Sequence, residues 1–91
     1  MDVEIRTTAL AYEAYLGGTR VGELAFSKTD SVVTLLHTEV FPEAEGKGVG
    51  STLVRAAADD ARANGWQIIA TCPFAASWFD RHPDDADVRV G

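Results

Sequence analysis

The segment Glu45–Ser51 (E-G-K-G-V-G-S) carries a glycine at every second position, at 46, 48 and 50. Glycine lets successive main-chain N–H groups turn toward one point, and the missing Cβ leaves room for a ligand to approach. A helix predicted to begin at Gly50 adds its free N-terminal N–H groups and the positive end of its dipole. Together these features predict a binding site for a phosphate or pyrophosphate group.

Two other interpretations of the same glycines need to be considered. Gly46–Thr52 superficially resembles a nucleotide-binding P-loop, but in that motif Ser or Thr directly follows the lysine. Here Gly48 follows Lys47, and Ser51 and Thr52 lie too far along the chain. The glycines could instead serve only to make a tight turn in a purely structural domain.

Three side chains could carry acid–base or nucleophilic chemistry: His37, Glu39 and Cys72. His37 and Glu39 lie two residues apart on a predicted strand, so they share one face with Phe41. Either could act as a base, or they could be a strand histidine held by a carbonyl and a solvated carboxylate. Cys72 precedes a predicted short helix whose N-terminus favours a thiolate, but a buried thiol that only fills space fits equally well.

Apolar–polar alternation and turn residues predict the strands that position these groups. Gly17 and Gly18 indicate a hairpin turn, and residues 28–30 (K-T-D) a polar turn. The segment 9–16 would also suit a helix by propensity, although the glycines that follow favour a strand. The longest β-branched run, residues 31–41, is predicted to be central. The predicted strands are Val3–Thr8, Ala9–Leu16, Thr19–Ser27, Ser31–Phe41 and Gln67–Thr71.

Two helices are predicted, Gly50–Asn64 with an alanine-rich apolar stripe and Ala75–Arg81 with Trp78 and Phe79. The two aromatic side chains could line a pocket or simply belong to the core. Residues 84–91 are predicted to form a loop with solvated aspartates and a frayed strand over 88–90. The predicted fold is α+β: an antiparallel meander followed by a right-handed β-α-β crossover that places two strands in parallel.

Length and composition set broad limits. The 91 residues predict one domain spanning 1–91, and the net charge of −6 argues against a nucleic-acid partner. No apolar stretch is long enough to cross a membrane, and the acidic start Met1–Glu4 differs from a signal peptide, so a cytoplasmic location is expected. The single cysteine excludes an internal disulfide and a cysteine-rich zinc site, and no metal is expected.

Four short motifs resemble one known family. Residues 45–50 (E-G-K-G-V-G) resemble the acetyl-CoA signature (Gln/Arg)-x-x-Gly-x-(Gly/Ala) of GNAT-superfamily N-acetyltransferases. The segments 37–40 (H-T-E-V), 72–74 (C-P-F) and 81–83 (R-H-P) follow the order and spacing of a small, minimal GNAT subfamily. The chain departs from the signature at Glu45, where the family has Gln or Arg. We therefore expect Glu45 to turn outward, with Lys47 offsetting its charge.

The resemblance implies an acetyltransferase that uses acetyl-CoA as co-substrate and transfers the acetyl group to an amine on a protein, peptide or small molecule. The alternative is a non-catalytic CoA- or acyl-CoA-binding module. Acetyl transfer would need a slot for the pantetheine arm, which two splayed parallel strands provide, and a donor for the thioester oxygen, for which the Val40 N–H is the candidate. The edge strands of a small domain could also allow a homodimer. The implied catalytic residues are Cys72, His37 and Glu39, and the implied cofactor-binding residues are Val40, Phe41, Glu45, Gly46, Lys47, Gly48, Val49, Gly50, Ser51 and Phe74.

Overall fold

A computed structural model describes residues 3–91; Met1 and Asp2 of the acidic N-terminus, used above for the expected location, lie outside that range. The strands are β1 (Glu4–Thr7), β2 (Ala11–Leu16), β3 (Thr19–Thr29), β4 (Val32–Val40) and β5 (Gln67–Ala70). The helices are α1 (Val49–Asn64) and α2 (Pro73–Arg81), with 3-10 segments at Pro42–Ala44 and Pro83–Val88.

The five strands form one sheet in the order β1-β2-β3-β4-β5. The first three neighbouring pairs are antiparallel and β4 pairs with β5 in parallel. Gly17 and Gly18 adopt φ values of 56° and 82°, which a tight hairpin turn requires and which glycine adopts without a Cβ clash. The predicted α+β class, with its meander and crossover, is confirmed, and the helical alternative for residues 9–16 is wrong.

Helices α1 and α2 contact each other and pack against the sheet, α1 on β2, β3 and β4, and α2 on β4 and β5. The face of the sheet that they cover carries apolar residues such as Leu24, Leu35 and Ile68, all of them fully buried. Tyr12 also points to this face and donates a hydrogen bond from its hydroxyl to Asp60 of α1 at 2.9 Å. This core fixes the position of α1, whose first turn lies at the glycine loop.

A β-bulge interrupts β4 opposite β3. Ala25 pairs with His37 and Phe26 pairs with Leu35, so Leu36 is an extra residue with 48% of its surface exposed. A bulge reverses the alternation of the residues that follow it. Thr38, the cross-strand partner of the buried Leu24, therefore points toward the helices.

Three predicted boundaries are corrected by the structure. The turn at residues 28–30 is wrong, because β3 continues through Thr29 and the chain reverses at Asp30, which adopts a φ of 55°. Helix α1 begins at Val49, one residue earlier than predicted. Helix α2 begins at Pro73, two residues earlier than predicted, since the first turn of a helix tolerates a proline that has no N–H to donate.

The acidic C-terminal segment is not the solvated loop that was predicted. Residues 83–88 form the second 3-10 segment, and Asp87 accepts a hydrogen bond from the Arg62 guanidinium of α1 at 2.7 Å. Asp85 lies 3.4 Å from both Arg55 and Arg62. Only the predicted last strand is confirmed in part, by a parallel bridge between Arg89 and Ile68 of β5. These ion pairs fasten the C-terminal segment to α1.

Candidate active site

An opening lies where the two parallel strands separate. Their pairing ends at Leu35 and Ala70, and the Leu35 carbonyl accepts hydrogen bonds from the Thr71 hydroxyl at 2.8 Å and from the Cys72 N–H at 3.0 Å. Beyond that point β4 continues to Val40, whereas the segment that follows β5 enters α2 at residue 73. Cys72 lies where the two segments separate, and we call the unpaired region between the end of β4 and the start of α2 the gap.

A cavity of about 230 Å³ lies at the glycine loop, and its lining includes Val40 at the end of β4 and Phe74 of α2. Gly46 and Gly48 adopt φ values of 81° and 74°, and a Cβ added to either would meet no atom within 4 Å. Both glycines therefore allow the backbone to adopt positive φ angles, and both face open space. The residues that line the cavity are Val40, Ala44, Glu45, Gly46, Gly48, Val49, Gly50, Ser51 and Phe74.

The first turn of α1 forms one side of the cavity. Gly48 is the N-cap and supplies no side chain to cap the helix. The first N–H groups of an α-helix have no partner within the helix, so those that follow Gly48 remain available to an anion. These donors, together with a loop that has no Cβ at residues 46 and 48, fit a pyrophosphate group.

Phe74 forms the wall opposite Gly50. Its ring is 40% exposed, and a Cβ built on Gly50 would lie 2.7 Å from the ring. Glycine at this position thus allows the aromatic ring to approach the first turn of α1. The result is an apolar wall beside the helix N-terminus, which suits an extended ligand with an anionic group and an apolar arm.

Most of the residues expected to bind the cofactor line this one cavity. Two do not: Lys47 is exposed on the loop, and Phe41 is partly buried with the Arg20 guanidinium 5.6 Å from its ring centre. Ala44 lines the cavity although the sequence did not indicate it. A small, fully buried residue in a 3-10 turn carries no signal that distinguishes it from an ordinary core residue.

Cys72 lies at the N-cap of α2, with only 3% of its surface exposed. Its Sγ lies 3.2 Å from the hydroxyl of Thr38. Burial by itself raises the pKa of the thiol, but hydrogen bonds from the Thr38 hydroxyl and from the N–H groups of Ala75 and Phe74 outweigh burial and hold the pKa below its ordinary value. The site therefore contains a thiol that ionises more readily than a free cysteine.

His37 and Glu39 lie on the opposite face of the sheet from Thr38. Both are exposed, and their cross-strand partners are Ala25 and Glu23. The structure therefore brings Thr38, rather than either predicted base, into contact with Cys72. Sequence alternation alone could not indicate Thr38, because the bulge in β4 decides which side chains face the helices.

Trp78 and Phe79 are almost fully buried, with 0% and 1% of their surfaces exposed. Both belong to the core, as one of the two interpretations above expected. Neither lines the cavity directly. The Trp78 indole nevertheless reaches a residue that does, since its N–H donates to the hydroxyl of Ser51 at 2.7 Å.

Replacing Thr38 with valine should raise the pKa of the Cys72 thiol, because burial still raises the pKa and one of the hydrogen bonds that lower it is lost. Valine keeps the shape of threonine but removes the hydroxyl that stabilises the thiolate. The ultraviolet absorbance of the thiolate, followed as pH rises, measures the midpoint without interference from another thiol because Cys72 is the only cysteine. Equal midpoints in the two proteins would show that Thr38 does not influence the thiol.

Within residues 3–91, no cluster of histidine, cysteine and carboxylate side chains has an arrangement that could hold a metal ion. In the same range, neither helix combines the length and the apolar character needed to span a bilayer.

Similarity to solved structures supports the geometric description. A GCN5-like protein from Staphylococcus aureus, provisionally assigned as an N-acetyltransferase and solved by NMR, matches with 29% identity and a TM-score of 0.76 over 97% of this chain and 88% of its own. A ribosomal-protein-alanine N-acetyltransferase from Brucella melitensis biovar Abortus 2308 shares the fold at 21% identity and a TM-score of 0.68, over 78% of this chain and 58% of its own.

An IAA acetyltransferase from Bacillus cereus also shares the fold, at 20% identity and a TM-score of 0.62, over 79% of this chain and 52% of its own. The chain thus spans only a little over half the length of these two larger proteins. Among curated protein sequences, none matches significantly. The family model for GCN5-related N-acetyl-transferases matches residues 11–88. The chain therefore belongs to the GCN5-related N-acetyl-transferase family, which transfers acetyl groups from acetyl-CoA.

Proposed function

We propose that this chain is a single-domain, acetyl-CoA-dependent N-acetyltransferase whose acceptor is an amine. One observation carries the proposal: the cavity at the first turn of α1 is lined by Val40 of β4 and Phe74 of α2, and Cys72 lies between the same two elements, at the N-cap of α2 beside Thr38 of β4. An anion held by the helix N-terminus would thus lie close to the elements that hold the Cys72 thiol. Acetyl-CoA supplies the acetyl thioester that such an arrangement would hold.

The proposed pyrophosphate site, called the cradle below, consists of the glycine loop and the first turn of α1. Its donors are main-chain N–H groups rather than side-chain cations. The N–H groups of the first turn of α1, after Gly48, would hold the pyrophosphate. Glu45 is exposed, so its carboxylate can remain in solvent while its backbone contributes to the loop. Phe74 and Val40 would flank the pantetheine arm. This arrangement explains how a chain with a net charge of −6 could bind a polyanion through local contacts.

The end of β4 offers a candidate oxyanion donor. The Phe41 N–H donates to the Val21 carbonyl of β3 at 2.8 Å. Because N–H groups of successive strand residues point to opposite sides, the Val40 N–H points away from β3, toward the gap left by β5. In that position it could stabilise the negative charge that develops on a thioester oxygen during attack.

Cys72 could act in one of two ways. Its Sγ could hold a proton and transfer it to the departing thiolate when the C–S bond of the thioester breaks. Alternatively, its thiolate could attack the acetyl carbon and carry the acetyl group until the amine displaces it. His37 and Glu39 lie on the other face of the sheet, where either could remove a proton from an ammonium group that approaches from that side.

The acceptor is proposed to be a cationic amine: an exposed amino group of a protein or peptide, or a small polyamine. The net charge of −6 favours long-range attraction of such a molecule. The names of the larger relatives point to a ribosomal-protein alanine in one case and to IAA in the other, so fold similarity does not select one acceptor.

CoA at a hundred times its Kd should raise the melting temperature by roughly 10–20 °C, since such saturation adds about 2.7 kcal/mol to a domain of this size. Acetyl-CoA with the right amine should release free thiol, which a panel of amines can reveal. A melting shift without thiol release for any amine would favour the CoA-binding module. If CoA does not change the melting temperature, the proposed function is wrong. The glycines would then serve only to form a tight turn.

A further inference from the structure

The side chain of Trp78 is buried in the core, and its indole N–H donates a hydrogen bond to a single acceptor. An indole has one N–H donor and no acceptor, so a buried Trp needs a partner for it. The ring of Trp78 stacks on His82 at 4.1 Å between centroids and meets Phe79 edge-on at 5.2 Å. Held in this way, the N–H donates to the Ser51 hydroxyl oxygen at 2.7 Å.

Ser51 lies in the first turn of α1 and lines the cavity. A serine hydroxyl has one proton to donate and two lone pairs to accept. The indole N–H occupies one lone pair, so the proton of the Ser51 hydroxyl is directed elsewhere. Among the hydrogen bonds formed within residues 3–91, the indole is the partner of this hydroxyl. The neighbouring Thr52 differs, because its hydroxyl donates back to the Gly48 carbonyl at 2.9 Å.

We propose that Trp78 is a positioning residue that holds the Ser51 hydroxyl so that its proton points into the cavity, toward the diphosphate of bound CoA. This inference rests on the proposed function, because it assigns a role in binding the same ligand. The indole keeps the hydroxyl from folding back onto the helix as that of Thr52 does. Trp78 thereby contributes to affinity without contacting the ligand.

The alternative role for Trp78 is purely structural. In that case the indole ring would only fill space in the core, as a phenylalanine ring nearly could. Its N–H would bond to Ser51 only because a buried donor needs an acceptor. The two roles differ in one measurable respect. If Trp78 acts through Ser51, removing the indole N–H should weaken CoA binding only while the Ser51 hydroxyl is present.

Calorimetric titration of CoA into four proteins tests this dependence: the wild type, Ser51→Ala, Trp78→Phe and the double variant. Ser51→Ala should raise the Kd about tenfold, as expected for the loss of one hydrogen bond to a charged group. Trp78→Phe should raise it by a smaller factor, about fivefold, since the hydroxyl remains but is no longer held. The double variant should match Ser51→Ala, because nothing is left for the indole to position.

Two results would overturn the inference while the proposed function stands. In one, Trp78→Phe binds CoA as the wild type does. In the other, Trp78→Phe weakens binding by the same factor with and without the Ser51 hydroxyl, which indicates a structural effect. If the wild type itself fails to bind CoA, the proposed function falls first and this inference falls with it.

A second measurement keeps the test decisive if Trp78→Phe does not fold. In ¹⁵N-labelled protein the indole N–H groups of Trp66 and Trp78 give separate NMR signals. Ser51→Ala should move the Trp78 indole proton upfield, and saturating CoA should shift that signal in the wild type but hardly in Ser51→Ala. The Trp66 signal is the internal control. A Trp78 signal that does not respond to CoA in the wild type would refute the coupling.

Discussion

Replacing Gly48 with glutamate is expected to abolish measurable CoA binding while the protein stays folded. A Cβ at this position meets no protein atom within 4 Å, so the new side chain would extend into the open space of the cradle. Two like charges about 4 Å apart near a protein surface repel by about 4 kcal/mol, which corresponds to a loss of affinity well beyond a hundredfold. Calorimetric titration with CoA measures the effect directly.

The control is Gly65→Glu at the other end of α1. Gly65 adopts a φ of 72°, close to the 74° of Gly48, and a Cβ there also meets nothing within 4 Å. Both substitutions place a non-glycine residue in the left-handed region, at a cost of about 1–2 kcal/mol. Both variants should therefore melt several degrees lower than the wild type, but only Gly48→Glu should lose CoA. Unchanged affinity in Gly48→Glu would place the cradle elsewhere.

Replacing Cys72 with alanine is expected to lower turnover by roughly a hundredfold, as for the loss of a positioned proton donor. The thiol lies beyond the cavity lining, at the N-cap of α2, so the apparent affinity for acetyl-CoA should change little. Steady-state thiol release with the most active amine of the panel separates kcat from KM. A rate close to that of the wild type would show that the thiol takes no part in the reaction and that Cys72 only packs in the core.

The pH dependence of the same assay separates the two possible roles of the thiol. Hydrogen bonds from the Thr38 hydroxyl and from main-chain N–H groups outweigh burial and hold the pKa of the Cys72 thiol below its ordinary value. A proton donor is active in the thiol form, so the rate would decline as pH rises through that pKa. A nucleophile is active as the thiolate, so the rate would rise instead.

In either case this limb of the pH–rate profile should be absent from Cys72→Ala. Mass spectrometry after incubation with acetyl-CoA alone provides an independent check. A single acetyl group on Cys72 would indicate the covalent route, whereas an unmodified chain would favour direct transfer. A limb that persists unchanged in Cys72→Ala would show that another group titrates.

The order of the elements and the glycine loop that lines the cavity can be predicted from the sequence because their signals are local. Alternating glycines before an amphipathic helix, the Gly17-Gly18 turn and the β-branched run over 31–41 each depend on residues close together in the chain. Short-range steric preferences are enough to interpret such patterns. The structure agrees with them to within one or two residues for most elements.

The C-terminal segment was harder to predict because its partners are distant in sequence. An aspartate-rich stretch after a proline is typical of a solvated loop. Here Asp87 pairs with Arg62, 25 residues earlier, and Asp85 is held by the same helix. Only the docking of residues 83–88 on α1 turns this stretch into a fixed 3-10 segment.

The proposed anion site can be inferred from the amino-acid sequence, since its donors come from one continuous turn of the backbone. The side chains that surround the thiol become apparent only in the folded protein. Alternation along β4 would continue the buried face of Val33 and Leu35 into His37, but the bulge at Leu36 turns Thr38 toward Cys72 instead. That bulge reflects the register between β3 and β4, which depends on packing across the whole sheet.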